Sequence, residues 1–154
     1  MRIIAPFIVL SALAQLAMAT GMLAQSTGGS AVPIYGNWCG PNYPADPTRA
    51  GPPVDPLDAA CLRHDICVAT RGSFDCGCDV GLLRELRATP WPNPVIQSNA
   101  RAIYDAIALA PCSAPDGMAL KQSMFSADLM TDMMSGQGTP MDVVDRWRRL
   151  MLGP

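Results

Sequence analysis

The sequence predicts a small, disulfide-linked, all-α fold, with two antiparallel helices, an irregular loop ahead of them and further helices toward the C-terminus. Three observations predict it. Six cysteines, Cys39, Cys61, Cys67, Cys76, Cys78 and Cys112, follow a leader-like N-terminus, and an even count in an exported chain implies disulfides. The run CLRHDIC at 61–67, with CGCD at 76–79, places one histidine and two aspartates among four of those cysteines. Helix-start residues and apolar positions at helical spacing recur from Pro56 onward.

Residues 1–24 read as an export signal: Arg2, then an apolar run from Ile3 to Met18 broken only by Ser11 and Gln15, with small-residue cleavage options after Ala19 or Ala24. Residues 25–154 then form one domain of a size that cross-links would help to stabilise. Loss of Arg2 leaves ten basic against thirteen acidic residues, a net charge of −3. A mildly acidic chain has no electrostatic hold on nucleic acid, which removes that class of partner. A monomer is assumed.

From Ser26 to Pro56 glycine and proline recur without periodicity, so this stretch is loop, and a loop of that length in a compact domain usually has a job. Pro56 suits a first helical position, with Asp55 as N-cap and Asp58 as its capping partner three residues on, so CLRHDIC lies on a helix. A second helix starts near Asp75 and carries Val80, Leu82, Leu83 and Leu86 on its apolar face, leaving Arg84 and Arg87 free to reach water. Pro90-Trp91-Pro92-Asn93-Pro94 forces an extended break, and residues 95–110 resume a helical pattern that Pro111-Cys112 ends. Residues 113–154 form a methionine-rich tail with a weaker helix near 118–134 and a clearer one from Met141 to Leu152; its methionines are expected to fill core between helices. Arg146, Arg148 and Arg149 beside Trp147 suit a solvated helix end better than a membrane contact.

His64 is the only histidine, so any imidazole chemistry happens there. If Cys67 pairs with Cys78, the two helices run antiparallel, and one turn back from Cys67 meets one step forward from Cys78: His64 beside Asp79, a base with its orienting acid. Asp65 projects about a hundred degrees around the helix from His64 and is free for another task. The loop Tyr35-Gly36-Asn37-Trp38-Cys39-Gly40-Pro41-Asn42-Tyr43 has glycines that let main-chain carbonyls converge, and a hard cation such as calcium takes oxygen ligands; Asp65 is the carboxylate that completes such a cage. Six cysteines allow fifteen connectivities, and a zinc site from Cys61, His64, Cys67 and one of Cys76 or Cys78 is the rival use of the same residues.

These residues resemble the secreted phospholipase A2 family, whose marks are a calcium loop of the form aromatic-Cys-Gly-x-Gly and the helix motif CxxHDxC. The loop here is Trp38-Cys39-Gly40-Pro41-Asn42; the helix motif is matched in full by Cys61, His64, Asp65 and Cys67; the match covers about residues 35–86. The resemblance implies calcium held by the Asp65 carboxylate and the carbonyls of Trp38, Gly40 and Asn42, with His64 as general base on water and Asp79 fixing its tautomer. Calcium and the Gly40 amide would stabilise the oxyanion formed at the sn-2 ester of a glycerophospholipid, so that phospholipid or a membrane interface is the substrate. It further implies the disulfides Cys39–Cys61 and Cys67–Cys78, leaving Cys76 with Cys112. The alternative is a phospholipase-like protein that binds a partner or membrane without turnover. Three departures stand out. Asn42 replaces a glycine; Ala60 and Glu85 replace a cysteine pair; and Val68 stands where relatives often have a tyrosine bonded to the second-helix aspartate, which leaves Tyr35, Tyr43 or Tyr104 to support Asp79.

Overall fold

A computed structural model describes residues 30–152; the expected leader, residues 1–24, lies outside them. Five helices follow one another: α1 (Pro56–Arg71), α2 (Cys76–Ala88), α3 (Pro94–Leu109), α4 (Pro115–Met134) and α5 (Pro140–Leu152). The loop before α1 holds a 3₁₀ turn at Pro47–Arg49 and an isolated antiparallel bridge between Tyr35 and Cys39. No helix among the described residues is long and apolar enough to cross a membrane.

Local chemistry sets the helix starts. Proline occupies the first turn of α1, α3 and α4, where its missing N–H costs nothing. Asp55 accepts the amides of Leu57 and Asp58, Asp75 that of Cys78, and Asn93 those of Val95 and Ile96. Asp58 departs from the expected capping box. Its carboxylate reaches the Val54 amide but spends its other bonds on the loop, because it is fully buried and needs several donors.

Leu57 and Ala60 of α1 meet Val80, Leu82, Leu83 and Leu86 of α2, and Ala100, Ile103, Tyr104 and Ala108 of α3 complete the core. The tail joins it mainly through Met124, with Phe125 and Leu150 partly buried. Met118 is partly buried, but five of the tail's methionines do not fill core: Met130, Met133, Met134, Met141 and Met151 are exposed. Ion pairs fasten the tail instead: Arg87 to Asp128 (2.9 Å), Arg101 to Asp132 (2.6 Å), and Arg146 to the fully buried Asp105 (2.8 Å). Arg87 reaches water as expected, and its guanidinium also pairs with Asp128.

Three disulfides link the chain, Cys39–Cys61, Cys67–Cys78 and Cys76–Cys112, and no cysteine is left free. The thiols that the zinc arrangement needs are thus consumed. The first bridge ties the loop to α1, the second pins α1 to α2, and the third holds α2 against the junction of α3 and α4. Glu85 forms an ion pair with Arg63 across α1 and α2.

Candidate active site on helices α1 and α2

His64 sits one turn before Cys67, and Asp79 follows Cys78 directly, so the Cys67–Cys78 bridge fixes the spacing of imidazole and carboxylate. His64 Nε2 lies 3.0 Å from Asp79 Oδ1, with both side chains largely shielded from water. Because Nε2 is committed to Asp79, Nδ1 is the nitrogen left to take a proton from a substrate or water.

The second oxygen of Asp79 does not find a tyrosine. It binds the ammonium of Lys121, a residue of α4 with no exposed surface, which also donates to the Ala110 carbonyl at 2.7 Å. The three tyrosines are otherwise placed. Tyr35 donates to Asp55, and the Tyr104 hydroxyl is buried beside Asp128; no bond from Tyr43 reaches Asp79 among the described residues. An ammonium gives this buried carboxylate a charged donor, a stronger hydrogen bond than a neutral hydroxyl supplies. Burial pushes the Asp79 carboxyl up, but the bonds from His64 and Lys121 outweigh it and hold it below the usual carboxylate range.

Asp65, next to His64, has the opposite environment. Its Oδ2 is buried with no hydrogen-bond partner among the described residues. Burial, aided by the nearby Asp58 carboxylate and opposed by His64, pushes its carboxyl up to about 7. A buried carboxylate oxygen of this kind is satisfied by a cation, a proton or an ordered water.

Asp58 organises the loop that precedes α1. It accepts the amides of Asn37 (2.9 Å), Trp38 (2.8 Å) and Val54 (3.0 Å), while Tyr35 reaches back to the cap residue Asp55. Gly36 is required there: at φ +57° it lies so close that a Cβ would fall 2.3–2.6 Å from the Asp58 carboxyl group. The bridge closes through Cys39 N to Tyr35 O at 3.1 Å, and Trp38 Nε1 donates to Gly51 O at 2.9 Å. Gly40 packs so tightly that a Cβ would lie 2.0 Å from the Val32 carbonyl oxygen. Asn42 takes φ +54°, the left-handed conformation that a glycine would adopt without strain and asparagine tolerates.

The donors present suit calcium. Among the described residues the carbonyls of Trp38 and Asn42 accept no hydrogen bond, and that of Gly40 accepts only the Tyr43 amide at 3.2 Å. No three His, Cys, Asp or Glu side chains converge on one point among the described residues, so a cation here would rely on main-chain oxygens and the orphaned Asp65, an all-oxygen set for a hard ion. Cavities of about 450 and 500 Å³ lie elsewhere, one lined by Trp91, Arg101 and Tyr104, the other by Ile34, Val95 and Leu150. Neither is lined by His64, Asp65 or Asp79, and the geometry of the charged groups marks the site better than concavity does.

Two participants, Lys121 and Asp58, are not found by the motifs. Lys121 did leave a trace: a charged residue spaced three from Met118 and Met124, on the stripe that should face the core. No family model, no curated protein and no solved structure matches the chain.

Proposed function

We propose that this chain is an exported, calcium-dependent esterase of the phospholipase A2 type, cleaving the sn-2 ester of glycerophospholipids. The observation that carries the reading is the pairing, on adjacent residues of α1, of a histidine bonded to a buried carboxylate with an aspartate whose buried oxygen has no partner. His64 Nδ1 takes a proton from water as the water oxygen bonds to the ester carbonyl carbon, and Asp79 steadies the imidazolium that forms. The same proton then passes to the departing glycerol oxygen as the ester bond breaks, giving a free fatty acid and a lysophospholipid. The Gly40 amide donates to no acceptor among the described residues and is the main-chain donor available to the developing oxyanion. Asp65 with the carbonyls of Trp38, Gly40 and Asn42 would hold calcium, whose charge, when bound, stabilises that same oxygen. Three disulfides suit the oxidising compartment that the N-terminal leader implies.

The test is release of a labelled sn-2 fatty acid from phosphatidylcholine by the purified chain, with calcium and with a chelator. Calcium-dependent release is expected. No release at saturating calcium would leave a scaffold that binds without turnover, and undiminished release in chelator would remove the metal from the reaction.

A further inference from the structure

Ten of the eleven basic residues are arginines; the chain has one lysine and one histidine, and both bind the same carboxylate. From this geometry we infer that Lys121 is the positioning residue of the base, clamping one oxygen of Asp79 so that the other holds His64 in the Nε2–H tautomer. The inference rests on the esterase reading for its functional meaning, though not for its structural content.

A carboxylate turns broadly about its last torsion, so one bond to a ring nitrogen does not fix it. Lys121 removes that freedom from the opposite side. Its own ammonium is held at two points, the Asp79 Oδ2 and the carbonyl of Ala110, the residue that caps α3. The negative end of the α3 dipole draws the same charge to the same place. With no exposed surface, the side chain cannot exchange these partners for water. Asp79 Oδ1 is then presented to His64 at 3.0 Å as an acceptor only, so Nε2 must carry the hydrogen and the Nδ1 lone pair stays bare. A tyrosine would offer one neutral donor. Lysine offers a charge and a second anchor, and it brings α4, the start of the tail, into the site. Cys76–Cys112, at the α2 end and the α3–α4 junction, holds the two sequence segments in register for this contact.

The single histidine makes the test direct. With the full chain ¹⁵N-labelled at histidine, at about pH 8 where an ordinary imidazole is neutral, one ring gives one pair of nitrogen signals. The wild type should show the Nε2–H tautomer alone. Lys121→Met should lose that single tautomer, and Lys121→Arg, which keeps charge and donors, should retain it. On phospholipid, kcat of Lys121→Met should fall about ten- to a hundred-fold with KM nearly unchanged, the range for losing a group that orients a site residue. A ring unchanged in Lys121→Met, or a kcat unchanged once the tautomer is lost, overturns the inference. Should Lys121→Met fail to fold, the wild-type and Lys121→Arg spectra decide, since a ring found as Nδ1–H in either contradicts the clamp. If the wild type hydrolyses no phospholipid, the esterase reading falls while the ring spectra still judge Lys121.

Discussion

Two aspartates fifteen residues or fewer from one histidine are driven in opposite directions, and the division of labour in the site follows from that. Asp79 is held by the Lys121 ammonium and by a hydrogen bond with His64 and stays ionised; the buried Asp65 oxygen has no such partner and tends toward the protonated form unless a cation replaces the proton. Proton and calcium should therefore compete at Asp65. Calorimetric titration should show calcium affinity falling about tenfold per pH unit below about 7, the value to which burial raises this carboxyl. The sign for the metal-free fold is the reverse of an ordinary salt-bridged aspartate. A raised native pKa contributes stability that is present at low pH and lost as pH climbs from about 4 to about 7. In chelator, the thermal midpoint of the wild type should fall across that window relative to Asp65→Asn, and a parallel course of the two would show that Asp65 does not titrate there. His64→Gln removes the base at nearly constant volume. Hydrolysis should drop by about a hundred- to ten-thousand-fold with the circular dichroism spectrum unchanged, and near wild-type turnover would refute the proposed mechanism.

At the scale of elements, α1 and α2 were readable because their start signals are local. Proline at the first position, aspartate caps and apolar spacing need no knowledge of the rest of the fold, and the boundaries at Pro56 and Cys76 follow from them. The His64–Asp79 pair was readable for the same reason, once two cysteines gave a register between the helices. Asp58 and Lys121 were not, since each acquires its role from a partner far away in sequence, Asn37 and Trp38 for one, Asp79 for the other. The methionine tail misled because periodicity reports a helix and an apolar face without saying whether anything covers it. Asp58 also sets a prediction for the loop. Its carboxylate receives three main-chain amides in a fully buried place, so Asp58→Ala strands three donors and should cost about 3 kcal/mol or more. Chemical denaturation should show that loss, together with weakened calcium binding, since the Trp38 carbonyl loses its support. A variant as stable as wild type that binds calcium equally well would mean the loop is held by Cys39–Cys61 alone.

Across the whole molecule, stability is divided between a small core, three covalent links and a set of ion pairs, one of them buried, that attach the C-terminal helices. α5 illustrates the last. None of its residues is fully buried, and Leu150 is its one side chain packed against the core cluster, so the contact of Arg146 with Asp105 bears much of its attachment to α3. Asp105 has no exposed surface, and burial pushes its carboxyl up even though Arg146 and Arg101 pull the other way. Removing Arg146 therefore leaves a buried charge with one weak partner, Arg101 at 3.7 Å. Breaking such a pair from one side costs about 3–5 kcal/mol, whereas replacing both partners with groups that need no charge is far cheaper. Arg146→Met should thus destabilise the fold strongly, and adding Asp105→Asn should recover most of the loss in a double-mutant cycle by denaturant unfolding. If the two substitutions instead add, the pair is a surface contact in energetic terms and α5 is held by its apolar side. Lys121 is anchored on the carbonyl of Ala110, the cap of α3, and Arg146 on Asp105 within α3, so the same Arg146→Met protein should lower hydrolysis less than Lys121→Met does: it loosens α5 without removing either partner of the Lys121 clamp.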